Sequence, residues 1–217
     1  MIEKFREPMN ALTHLIGAVL SVIGTIAMII QISVNGELTP LYILSVLAFG
    51  LGLIALYTAS FVYHAVHGSE EKLMRLKKVD HSMIFVLIAG SYTPFCLLAL
   101  SGKTSMMLLT AIWVTAVIGV ILMIFWIKMP RWLNTALYIL MGWMAIFAVK
   151  PLYLALPVGG FCFLVLGGVM YTIGGVMYGM KKPNLSSRFG FHEVFHIFVM
   201  LGSLCHFYTV FRYLLWV

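Results

Sequence analysis

The chain has 217 residues, of which 62% are hydrophobic and only 10% charged, and its mean hydropathy is +1.04. A water-soluble globule of this size cannot hide that much apolar surface, so the composition excludes one and makes the bilayer the solvent. The formal net charge of +7 sits between apolar runs and points to no nucleic-acid partner.

In chain order, the segment MIEKFREPMNALTHLIGAVL places basic residues ahead of an apolar run, as a secretory signal does. The run continues to about Ser33, too long for a signal core, and reads as a retained first span. Apolar stretches of crossing length fall at about 11–32, 41–66, 79–100, 105–127, 132–149, 153–179 and 191–216, at roughly 20 residues per crossing. The expectation is an all-α membrane protein in which residues 1–217 form a single domain, a bundle of seven transmembrane helices. Pro94 lies inside the third span, where it removes a backbone donor and is expected to kink the helix. Glycines in the sixth span, among them Gly160, Gly167 and Gly174, recur seven apart and so share a face that lets a neighbouring helix approach closely. Cys96, Cys162 and Cys205 lie in apolar runs without CxxC spacing and read as packing residues.

Direction follows from lysine and arginine placement. The N-terminus carries Lys4 and Arg6. The second loop carries Lys72, Arg75, Lys77 and Lys78, the fourth Lys128 and Arg131, and the sixth Lys181, Lys182 and Arg188. Only Lys103, Lys150 and Arg212 fall on the other side. That asymmetry predicts a cytoplasmic N-terminus and an extracellular C-terminus in a multi-pass plasma-membrane protein.

Ionisable groups inside spans are expensive and usually functional. Glu7, Asn10 and His14 precede or open the first span, and His64 closes the second. Asp80 and His81 open the third, and His192, Glu193 and His196 open the seventh. With alternating helices, all of these fall at one membrane depth, on the basic side. Neutral imidazole suits zinc, and a catalytic zinc site takes three protein ligands with a fourth position left open. His192 and His196, at i and i+4, project from one helical face, and His64 is the natural third ligand. Asp80 either ligates directly or reaches the metal through water. Ser60, one turn before His64, is a candidate supporting partner. His81 is expected to point away from Asp80. His206 lies about 15 Å deeper along the last helix and takes a structural role.

The stretch FHEVFHIF also matches the HExxH pattern of zinc proteases, with Glu193 as general base. No Asp or Glu follows Glu193 and the only later histidine is His206, so the third ligand is expected from upstream, unlike that architecture. Glu193 is expected instead to face the start of the first helix or the basic sixth loop.

Five stretches, EPMNALTH, SFVYH, DHS, AGSYTPF and GFHEVFH, occur in that order across nearly the whole chain. On them the chain resembles the haemolysin III family, the bacterial branch of the progestin and adipoQ receptor superfamily. The resemblance implies a seven-helix bundle with a cytoplasmic N-terminus. By similarity to adiponectin receptors it implies zinc held by His64, His192 and His196, with Asp80 reaching it through water and Ser60 in the serine position. It further implies likeness to alkaline ceramidases, which hydrolyse a lipid amide.

The expected activity is zinc-dependent hydrolysis of a membrane lipid amide or ester, with Asp80 and Ser60 in catalytic roles. One alternative is a receptor-like regulator of membrane lipid state with a structural zinc. Another is a haemolytic, membrane-damaging protein, although no amphipathic pore-forming segment stands out. A membrane lipid is the expected substrate or ligand.

Overall fold

The computed structural model describes residues 4–126, 129–186 and 189–216. Lys128 and Arg188, two of the charges used above, and the expected end of the fourth span at 127 lie outside the described residues. Seven helices there are long and apolar enough to cross a membrane. They are α1 (Pro8–Val34), α2 (Pro40–Ala65), α3 (Glu70–Ala99), α4 (Gly102–Phe125), α5 (Arg131–Ala155), α6 (Val158–Met180) and α7 (Phe191–Leu214). Among the described residues the only extended pairing is a single bridge between Ser186 and Phe189 in the last loop.

Local chemistry sets where the helices start and how they deviate. Pro8 and Pro40 open α1 and α2 at positions whose N–H needs no helical partner. α3 begins well before its apolar part because the Ser69 hydroxyl accepts from the Lys72 N–H, and Glu70 and Glu71 occupy the first turn. Its polar opening, EEKLMRLKK, is therefore helical although it is no membrane span. Pro94 does not end α3; the helix widens into a π turn over Phe95–Ala99. α5 runs past the expected end at 149, through a 3₁₀ segment at Trp143–Ala148.

The helices close into a ring. α1 packs on α2 and α7, α2 on α3, α3 on α4, α5 on α6 and α6 on α7, with a lighter α4–α5 contact completing the circuit. On α6, a Cβ added at Gly167 would stand 2.3 Å from Cδ2 of His206, and one at Gly174 2.8 Å from Cβ of Phe198. The heptad-spaced glycines thus let α7 approach. α1 shows how polarity is distributed: Ile16, Ile23 and Ile30 are exposed while His14, Ser21 and Thr25 are buried. Apolar side chains face outward and polar ones inward, as lipid requires.

A cavity of about 520 Å³ fills the ring. It reaches along α3 from Asp80 to Phe95 and Leu100 and is walled also by α5, α6 and α7. Fifteen residues of helix make the Asp80–Phe95 stretch about 22 Å long.

Candidate metal centre

Six loosely spaced residues are brought together by antiparallel packing, and all but His64 line one end of this cavity. His64 comes from the last turn of α2, Asp80 from α3, His192 and His196 from the first turns of α7, and His14 from α1. Ser60 joins them from α2, one turn before His64.

The segment before α1 holds the end of α2. The Glu7 N–H donates to the His64 carbonyl at 3.0 Å and the Arg6 N–H to that of Ala65 at 3.4 Å. These satisfy carbonyls that a helix terminus leaves without partners. They also place the Glu7 side chain against the His64 ring, where Nδ1 donates to Oε2 at 2.5 Å. Arg6 pairs with Oε1 of the same carboxylate at 3.0 Å, and Asn10 donates to Oε2 at 3.3 Å. Burial alone would raise the Glu7 carboxyl, but the His64 hydrogen bond and charge, with Arg6 and His192 beyond, hold it down at about 2. Glu7 is therefore ionised at any physiological pH, and His64 Nδ1 stays the donor. The other nitrogen, Nε2, is buried and without a hydrogen-bond partner.

A similar argument fixes His196. Its Nδ1 lies 3.1 Å from Oγ1 of Thr13. The single hydroxyl proton of Thr13 has backbone carbonyls to go to, Asn10 at 2.9 Å and Met9 at 3.1 Å, which can only accept. With that proton on a carbonyl, Thr13 accepts from the His196 Nδ1–H, and Nε2 keeps its lone pair.

His64, His192 and His196 each offer one ring nitrogen, and these atoms lie within 4.8 Å of one another. A tetrahedral zinc with bonds of about 2.1 Å separates its nitrogens by roughly 3.4 Å, so small ring rotations close the cage. The orphaned His64 Nε2, the Thr13 hydroxyl beside His196 Nδ1 and the carboxylate behind His64 are what a metal ligand set requires. The residues fit a metal ion.

Asp80 is buried and lines the cavity, but stands outside the group of three nitrogens. Its Oδ2 lies 3.5 Å from Nδ1 of His81, contrary to the expectation that His81 points away. Both side chains, two positions into the buried part of α3, turn toward the same side. Glu193 accepts from the Gly190 N–H at 2.8 Å. It closes the first turn of its own helix against the end of the sixth loop, the second of the two expected directions. His206 Nε2 donates to the Leu164 carbonyl at 3.2 Å, deep in the cavity wall.

The sequence alone assigns no role to Glu7, Asn10 and His14 and gives Thr13 no mark. His14 stacks on His196 with centroids 3.5 Å apart and planes 10° from parallel, and both its nitrogens lack hydrogen-bond partners. The usable signal was the spacing of Glu7, Asn10, Thr13 and His14, which keeps them on neighbouring faces of one helix opening.

The seven-helix ring and its inward-facing histidine trio define a multi-pass integral membrane protein with a possible metal-binding centre. The chain belongs to the haemolysin-III-related family, whose model matches residues 2–207. It is 38% identical over 210 residues to Hemolysin-3 of Bacillus cereus, covering 96% of this chain and 92% of that one. It is 39% identical over 207 residues to a Hemolysin-3 homolog of Bacillus subtilis (strain 168), covering 95% and 93%. The human monocyte to macrophage differentiation factor is more distant, 26% identical over 170 residues, covering 76% of this chain and 68% of that one. A bacterial plasma membrane is consistent with these relatives.

Proposed function

We propose that the protein is a zinc-dependent hydrolase of a membrane lipid amide or ester, working at the cytoplasmic side of the membrane. The observation that carries this reading is the clustering of three imidazoles beside the end of a long apolar cavity that a buried carboxylate also lines. His64, His192 and His196 would hold the ion. Three neutral imidazoles also suit other transition metals; a hydrolytic site with an open fourth position favours zinc. When bound, zinc lowers the pKa of water toward about 7 and polarises a carbonyl. Asp80 accepts the proton of the attacking water, and Ser60, on the same wall, orients the polar head of the substrate. The apolar walls between Asp80 and Leu100 take the lipid tail and keep bulk water out.

A structural zinc in a receptor-like regulator would call for Asp80 to complete a closed set of four ligands. Its place outside the nitrogen group supports the open, catalytic arrangement. The relatives' names suggest membrane lysis, but the predominantly apolar lining of the cavity supports a lipid tail rather than an aqueous path.

The test is Asp80→Asn, assayed for metal content and for cleavage of a fluorescent ceramide analogue and a fluorescent phospholipid ester. The expected result is one zinc per chain retained and turnover reduced at least about a hundred-fold. Wild-type hydrolysis by the variant overturns the mechanism; loss of zinc from it selects the structural reading.

A further inference from the structure

A second, smaller cavity of about 80 Å³ lies outside the histidine cluster, between the early turns of α3, the end of α4 and the start of α5. Lys77, Lys78 and Arg131 line it together with Asn134, His81 and Tyr178. Among the described residues the ion pairs are made by Glu7, Glu71 and Asp80, and none of these reaches Lys77, Lys78 or Arg131. Three cations therefore converge on one small space without a carboxylate to balance them.

Two of them are held in place. The Lys78 ammonium donates to the Ile124 carbonyl at 2.7 Å, which spends one of its three protons at the end of α4. The Arg131 guanidinium lies over the Tyr178 ring at 4.8 Å and beside Phe191 at 5.2 Å, both to ring centroids. Its Nη1 is buried and has no hydrogen-bond partner. A buried guanidinium N–H without an acceptor is costly, and like charges brought together add to the cost. An anion with several acceptor oxygens removes both penalties, and arginine's fork matches a phosphate in particular. The volume leaves room for a phosphate group.

The surroundings point to a lipid as the source. Trp126 lines the cavity and is half-exposed, and Trp132 is exposed one residue after Arg131. Tryptophans at helix ends sit at the headgroup level of a bilayer. His81 and Tyr178 belong to the walls of both cavities, so this pocket adjoins the large one.

We propose that the Lys77–Lys78–Arg131 pocket binds the phosphate of an anionic phospholipid headgroup. The site stands on its own residues and does not depend on zinc or on hydrolysis. It is tested with the purified full chain in neutral detergent with a chelator present, following tryptophan fluorescence. Dioctanoyl phosphatidylglycerol, dioctanoyl phosphatidylcholine and inorganic phosphate are titrated separately. Saturable binding of phosphatidylglycerol is expected, tighter than that of either other probe. Lys77→Gln, at an exposed position, should weaken it about five-fold, the share of one interfacial cation. Arg131→Gln should weaken it further, and Arg131→Lys should restore only part, because the fork is lost while the charge remains. If Arg131→Gln does not fold, Arg131→Lys and Lys77→Gln carry the test. Equal phosphatidylglycerol affinity in wild type and variants overturns the site, and inorganic phosphate binding as tightly as the lipid overturns the lipid assignment.

Discussion

Nδ1 of His64 is bonded to Glu7, and Nδ1 of His196 lies within bonding distance of Thr13, so both rings are held in place. Glu7 fixes the His64 ring without touching the proposed ion. Partners of this kind are worth about 10–100-fold in metal affinity. Glu7→Gln keeps an acceptor oxygen but loses the charge, and should weaken zinc binding within that range in a chelator-competition titration. Glu7→Ala should weaken it more, and unchanged affinity in both would remove Glu7 from the centre. The histidine trio was legible in sequence because i, i+4 spacing and a shared depth are local properties. The roles of Glu7 and Thr13 were not, because they follow from backbone bonds between the segment before α1 and the end of α2. The pairing of Asp80 with His81 was hidden for a related reason: adjacent positions on a helix diverge by 100°, and only side-chain torsions bring the two groups together.

At the scale of elements, hydropathy located seven helices but not where polar or irregular chain stays helical. α3 reaches back to Glu70 on the strength of a serine cap, a signal separate from hydropathy. α5 carries a 3₁₀ segment that no residue pattern marks. The glycine spacing of α6 marks a close-packing face in the sequence and in the structure alike, and it yields a paired prediction. An added methyl at Gly167 meets His206 at 2.3 Å and the Gly202 carbonyl at 3.2 Å, whereas at Gly168 nothing lies within 4 Å. Gly167→Ala should destabilise the protein by about 1–3 kcal/mol, the usual cost of overpacking. Gly168→Ala should be neutral or slightly stabilising, since alanine is the better helix former. Thermal unfolding of both in detergent checks this; equal midpoints would mean that α6 and α7 do not meet through that face.

For the whole molecule, the ring turns a soluble protein's economy inside out: isoleucines of α1 face lipid while histidine, serine and threonine face inward. That arrangement gathers every proposed ligand at one end of the ring, because α1, α3 and α7 start there and α2 ends there. The described basic residues Lys4, Arg6, Lys72, Arg75, Lys77, Lys78, Arg131, Lys181 and Lys182 belong to the same end, at helix termini and in the connecting loops. Loops rich in lysine and arginine stay on the cytoplasmic side during insertion, so the metal centre and the basic pocket should both open toward the cytoplasm. The seven crossings then carry the C-terminus to the opposite face. A full-length chain with alkaline phosphatase fused at the C-terminus should be enzymatically active in cells, and the same fusion to a green fluorescent protein should be dark. A bright fluorescent fusion with an inactive phosphatase would reverse the molecule. It would place the histidines at the outer leaflet, and the proposed cytoplasmic hydrolase would lose its side of the membrane.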